Sequence, residues 1–207
     1  MNRRQLASFA AACVAVSIGL ACLPARAVDE SADAMIKRLS SDVMDSTRSA
    51  PDAGDARRVI AIVDTKIMPN VNFARMTAAA VGRSWRQATP EQQERLQEGF
   101  KLLLVRTYAG ALAQLKDQAI VVKPLRAGAD DAEVTVKTLV KGGGEPVAID
   151  YRLEKTAGGW KIIDLNVMGV WLVEAYRGQF AAEIGARGID GLIAALTERN
   201  RMVARAN

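Results

Sequence analysis

Residues 147–167 read VAIDYRLEKTAGGWKIIDLNV, and this stretch decides the fold. Val147, Ile149, Tyr151 and Leu153 alternate with Asp150, Arg152 and Glu154, and Ile163, Leu165 and Val167 continue the pattern in a second run. A period of two marks strands with one apolar and one wetted face. A three-residue loop, Ala157-Gly158-Gly159, places Leu153 opposite Ile163, Tyr151 opposite Leu165 and Ile149 opposite Val167. The same register sets Arg152 opposite Asp164 and Lys155 opposite Lys161. A two- or four-residue loop would instead turn Asp164 and Asn166 toward the apolar side.

Upstream, Val134, Val136 and Val140 alternate with Glu133, Thr135 and Lys137, which predicts another strand. Ile120 to Leu125 predicts a first strand, and Pro124 argues that it lies at an edge. Before Ala119 the period is helical. Met35, Ile36, Leu39 and Val43 make one apolar stripe; Val59, Ile60, Val63 and Ile67 make a second, with a break at Ser49-Ala50-Pro51-Asp52. A short helix is expected over Phe73 to Val81, closed by Gly82 in left-handed geometry. Thr89-Pro90-Glu91-Gln92 is the clearest helix start, a capping box with proline in the first turn, opening a helix to about Lys116. After Gly169, Val173, Tyr176, Phe180 and Ile184 share a helix face that Gly188 ends, and Asp190 is expected to cap a last helix finishing near Asn200. Helices, then an antiparallel meander of four strands, then closing helices make an α+β domain.

Residues 1–27 have the pattern of an export signal: Arg3 and Arg4, an apolar run from Leu6 to Leu23, and Ala25-Arg26-Ala27 as an A-x-A cleavage site. An uncleaved anchor is less favoured because no stop-transfer pattern follows, and a lipoprotein start at Cys22 lacks its leucine, with Gly19 in that place. Asn2-Arg3-Arg4-Gln5-Leu6 faintly resembles a twin-arginine signal, so the export route stays open. Residues 28–207 are expected to form one domain. Both cysteines lie in the leader and the chain has no histidine, so soft metal ligands and thiol or imidazole catalysts are absent from the expected mature part. Of the 28 basic residues, Arg3, Arg4 and Arg26 belong to the leader, leaving 25 against 23 acidic. No basic run stands out, and no nucleic-acid partner is expected.

Few constellations suggest chemistry. Lys141-Gly142-Gly143-Gly144-Glu145 has its lysine before the glycines and no helix after them, so it reads as a hairpin turn and not a phosphate loop. Asp130-Asp131 reads as a turn, with weak calcium capture as the alternative. Asp150 and Asp164 fall on the polar face and read as solvated strand residues, one paired with Arg152. No Gly-x-Ser-x-Gly elbow occurs. Neither catalytic residues nor a cofactor are expected. The apolar face is the most suggestive feature: Val134, Val136, Thr138, Val140, Val147, Ile149, Tyr151, Leu153, Ile163, Leu165 and Val167 form one aliphatic floor. Periodicity does not distinguish a filled core from a cavity above it.

Val71-Asn72-Phe73-x-x-Met76, Gly82-Arg83-x-Trp85, Thr89-Pro90-Glu91-Gln92 and Leu104-x-Arg106-Thr107-Tyr108 resemble successive blocks of the MlaC, or toluene-tolerance auxiliary, family. Trp160-Lys161-Ile162-x-Asp164, Val167-x-Gly169-Val170-x-Leu172-Val173 and Tyr176-Arg177-x-Gln179-Phe180 resemble its C-terminal blocks. The likeness covers nearly all of residues 28–207 in the right order. Trp171 departs from it, standing where the family has a small polar residue.

The resemblance implies a periplasmic carrier of NTF2-like general shape, with a deep apolar pocket for the acyl chains of a glycerophospholipid. It would move lipid between an outer-membrane lipoprotein complex and an inner-membrane transporter of the ATP-binding-cassette type, making and breaking no bond. Leu104, Tyr108, Val134, Val136, Ile149, Tyr151, Leu165, Val167, Leu172 and Tyr176 are the residues expected to face lipid, with Trp171 at the pocket edge or in ordinary helix packing. Each exposed acyl methylene costs about 0.8 kcal/mol, so baring two chains costs on the order of 20 kcal/mol and a carrier is needed. An NTF2-like small-ligand receptor or enzyme would want converging polar groups inside the cavity. A chaperone for apolar polypeptides is the third class.

Overall fold

A computed structural model describes residues 30–49, 56–113, 118–125, 128, 131–142 and 144–206. The expected export signal, the break after Ser49, the last turn of the helix toward Lys116, and Asp130 and Gly143 of the two turns fall outside these residues. Helix α1 (Ala32–Arg48) begins at Ser31, whose side chain accepts from the Ala34 amide. Helix α2 (Ala56–Ile62) passes into a π-helical turn (Val63–Ile67) and a 3-10 turn (Met68–Asn70). Helix α3 (Phe73–Val81) starts at Asn72, whose Oδ1 accepts from Arg75 N at 3.1 Å. It ends at Gly82, where φ is +71° but ψ is −138°, so the chain leaves at positive φ without the left-handed helical turn expected. Helix α4 (Pro90–Ala113) carries the predicted capping box: Thr89 N donates to Gln92 Oε1 at 3.0 Å, and Gln92 N to Thr89 Oγ1 at 3.2 Å.

The sheet has five strands where four were expected, in the order β1 (Ala119–Val122), β2 (Glu133–Lys141), β3 (Val147–Thr156), β4 (Gly159–Val167) and β5 (Val170–Trp171), all antiparallel. β1 is an edge strand and stops short of Pro124, which has no N–H to continue the ladder. The unexpected β5 follows a two-residue turn with Met168 at φ +53° and Gly169 at φ +90°; successive positive φ values suit the twist of a tight hairpin.

The β3–β4 register is right at three of the five predicted pairs: Ile149–Val167, Tyr151–Leu165 and Arg152–Asp164. Leu153, however, pairs with Ile162, and Thr156 with Gly159. The turn is therefore two residues, and a bulge at Ile163 supplies the extra residue that keeps Asp164 and Asn166 off the apolar floor. A straight ladder needed three loop residues for the same result. The bulge also removes the Lys155–Lys161 pair: Lys161 faces Glu154, and Lys155 lies 5.9 Å from the Trp160 ring centre.

Helix α5 (Leu172–Ala206) is two helical arms joined at Gly188, with φ +69° and ψ −174°. The break was expected; its last arm runs past Asn200 to Ala206, and Asp190 accepts from Gln92 Nε2 at 3.0 Å. α4 packs against α5 through Phe100, whose ring is 5.1 Å from both Tyr176 and Phe180, edge-on to each. Asn72, Arg75 and Glu154 tie the start of α3 to β3, with Glu133 of β2 also paired to Arg75.

Candidate lipid cavity

Between the sheet floor and the helices lies a cavity of about 270 Å³. Its floor is Val147, Ile149 and Tyr151 of β3 with Leu165 and Val167 of β4. α1 contributes Ile36, Leu39 and Val43 at helical spacing; α4 contributes Lys101, Leu104, Tyr108 and Ala111. Val63 and Ile67 of the π-turn, Phe73 and Met76 of α3, and Leu172 of α5 complete most of the wall. Polar side chains are few: Ser40, Lys101 and the two tyrosines.

The tyrosines add no charge. Burial pushes the Tyr151 hydroxyl up to about 12, with a hydrogen bond to Thr138 as a smaller opposing influence. Burial likewise raises Tyr108, helped by the neighbouring Tyr176. Thr138, on the floor beside Ile149, satisfies its own hydroxyl by donating to Ile149 O at 2.7 Å. Such a wall offers dispersion contact with little directional bonding, which suits flexible apolar chains.

Leu104, Tyr108, Ile149, Tyr151, Leu165, Val167 and Leu172 thus border the cavity. Four other expected residues stand elsewhere. Val134 and Val136 are on the floor's face but buried in the packed core, at 7% and 0% exposure. Tyr176 is held in the Phe100–Phe180 aromatic cluster. Trp171 is not at the rim: strand β5 pairs it with Asn166, so it points to the polar face, where the Arg152 guanidinium lies 4.2 Å from its ring centre. A helix beginning at Gly169, as expected, would have hidden this alternation. The α1, α3 and π-turn residues of the wall were missed because their stripes have the same spacing as any core-facing helix.

Asp164 is buried and not solvated. Its Oδ1 accepts from Leu165 N at 2.8 Å and Val173 N at 3.1 Å, and Oδ2 lies 3.7 Å from Arg152. Burial pushes its carboxyl above the usual range; the Val173 and Leu165 amides, then Arg152 and Arg177, pull the other way. It joins the sheet to the first turn of α5, whose Leu172 borders the cavity.

A wider groove of about 1340 Å³ runs between the two arms of α5 and beside α4, but charged Arg95, Glu183, Arg187 and Glu198 share its lining with alanines. Among the described residues no group of three or more Asp, Glu, His or Cys could hold a metal, and no helix is long and apolar enough to cross a membrane.

Floor and helical cover enclose an apolar cavity and define an α+β pocket protein. The chain belongs to the MlaC protein family, whose profile matches residues 37–198. It is 37% identical over 106 residues to the toluene tolerance protein ttg2D of Pseudomonas putida, covering 51% of this chain and 49% of that protein. It is 25% identical over 136 residues to the intermembrane phospholipid transport system binding protein MlaC of Haemophilus influenzae, covering 64% of each. The chain therefore spans about half and under two thirds of these two curated relatives. A solved structure of a phospholipid-binding protein from Ralstonia solanacearum, in complex with a phospholipid, is 49% identical with a TM-score of 0.81, covering 84% of this chain and 98% of that one.

Proposed function

We propose that this protein is a periplasmic carrier that holds the acyl chains of a glycerophospholipid in its cavity and leaves the headgroup in water. The observation that carries the reading is the wall itself: aliphatic and aromatic side chains from the sheet and from α1, the π-turn, α3, α4 and α5 converge on one apolar space. Its likeness to the phospholipid-bound Ralstonia protein supports that ligand class. In this reading residues 1–27 are an export signal and residues 28–207 the carrier domain. Its partners are an outer-membrane lipoprotein complex and an inner-membrane transporter of the ATP-binding-cassette type. The chemistry is transfer without bond cleavage, so the site needs no nucleophile or general base.

Pockets for drug-sized ligands measure roughly 300–1,000 Å³. At about 270 Å³ this cavity falls below that range, so a diacyl lipid loads only as the wall parts. Native mass spectrometry of protein purified without detergent from cells with membranes should show added mass equal to a diacyl phospholipid. Uniformly lipid-free protein from such cells would refute the carrier reading.

A further inference from the structure

Along α4 the residues that border the cavity pass from buried to wet. Leu104 and Val105 are buried, Tyr108 is half-buried and Ala111 is exposed. Ile120 of β1 and Val147 of β3, also on the lining, are only half-buried. Both pair with Val140, so they stand in one row across the sheet, and only residues 114–118 separate α4 from β1. The cavity therefore meets water where the end of α4 faces this row. Helical side chains lean toward the N-terminus, so the Tyr108 ring lies inside this mouth, between Leu104 and Ala111. Burial takes water from its hydroxyl and, with the neighbouring Tyr176, raises its pKa, which keeps it a neutral donor. The Tyr151 hydroxyl bonds to Thr138, but the Tyr108 hydroxyl has no hydrogen-bond partner among the described residues.

We propose that the Tyr108 hydroxyl donates a hydrogen bond to an acyl ester carbonyl of the bound glycerophospholipid and so fixes the depth at which the lipid sits. The proposal rests on the carrier reading above and adds a directional contact that the apolar wall does not supply. A glycerophospholipid carries its ester carbonyls at the boundary between hydrocarbon and headgroup, and Tyr108 stands at that same boundary in the wall. An ester carbonyl only accepts, and a phenolic O–H has a proton to give. Tyrosine suits the place because its ring packs on apolar surface while its tip seeks a polar partner. Both groups are neutral, so the contact needs no cation at the mouth and is indifferent to headgroup charge. Dispersion contacts with the rest of the wall leave a chain free to slide along it. One hydrogen bond at the mouth sets its register.

The test changes both ends of the bond. Tyr108→Phe keeps the ring and removes a hydroxyl that holds nothing in the fold. On the lipid side, the dialkyl ether analogue of dioleoyl phosphatidylglycerol keeps headgroup and chain length but has no carbonyls. Wild type and Tyr108→Phe are loaded from detergent micelles holding the two lipids in equal amounts, and the bound ratio is read by native mass spectrometry. Wild type should prefer the diester over the diether by roughly threefold to tenfold more than Tyr108→Phe does, the effect of one neutral hydrogen bond. Equal ratios in the two proteins overturn the proposal and leave the carrier reading standing. Tyr108→Phe that loads both lipids less well, at the wild-type ratio, assigns Tyr108 to packing and overturns it also. Wild type that loads neither lipid overturns the carrier reading, and this proposal falls with it.

Discussion

Ile149 and Leu153 lie on one face of one strand, two positions apart on either side of Tyr151, yet they meet different surroundings. Ile149 is half-buried beside the cavity; Leu153 is fully buried in the core. Ile149→Asp should therefore fold and lose lipid loading by about tenfold or more, because the new carboxylate borders the chains. Leu153→Ala should lower stability by about 2–5 kcal/mol, with its folded fraction loading lipid as wild type does. Loading by mass spectrometry and urea unfolding of both variants measure the contrast; equal behaviour would place the two side chains in one environment. Asp164 is a different case. Its carboxyl is raised above the ordinary value near 3.9, so the folded chain binds this proton more tightly than the unfolded one. Its contribution is most favourable at low pH and declines as pH climbs from about 3.9 through the folded value, after which it is constant. Asp164→Asn keeps an oxygen for the Leu165 and Val173 amides but does not titrate, so unfolding midpoints across that window should lose this decline relative to wild type. Asp164→Ala strands both amides and should cost about 1–3 kcal/mol.

At the level of elements, the two arms of α5 depend on Gly188. Its φ of +69° with ψ of −174° lies in a region essentially restricted to glycine, and a Cβ there would touch nothing within 4 Å. Gly188→Ala should then destabilise by about 1–3 kcal/mol through the backbone alone. A urea midpoint unchanged from wild type would show that the bend relaxes without cost. The π-turn matters for another reason. Val59, Val63 and Val105 form a small cluster apart from the main core, with Ile60, Ile67 and Met68 packed on it. Three buried valines anchor this segment beside the larger core, so it is expected to move most readily when a chain enters.

For the whole molecule, that difference in packing predicts how a cavity of about 270 Å³ accepts a larger ligand. The meander and the α4–α5 aromatic cluster stay in place, and the π-turn wall gives way. Hydrogen exchange should show amides 59–70 exchanging fastest among the helical segments of delipidated protein and slowing on reloading with phosphatidylglycerol vesicles. Slowing confined to α4, with 59–70 unchanged, would locate the opening elsewhere. Lipid that binds only the folded state should also raise the thermal midpoint with lipid concentration.

Residue order alone determined most of the elements, strand β5 and the π-turn excepted, because period and cap chemistry are local. The Thr89–Gln92 box, the α3 limits, the break at Gly188 and the paired faces of β3 and β4 were all legible from side-chain type and spacing. Assembly decided the bulge at Ile163, since a three-residue loop and a two-residue turn plus one extra residue satisfy the same alternation. It also decided which apolar residues border a cavity. Val136 and Ile149 share a face and a sequence pattern, and what separates them is whether side chains from distant helices fill the space above each one. That is a property of packing volume between elements, which no periodicity along one element records.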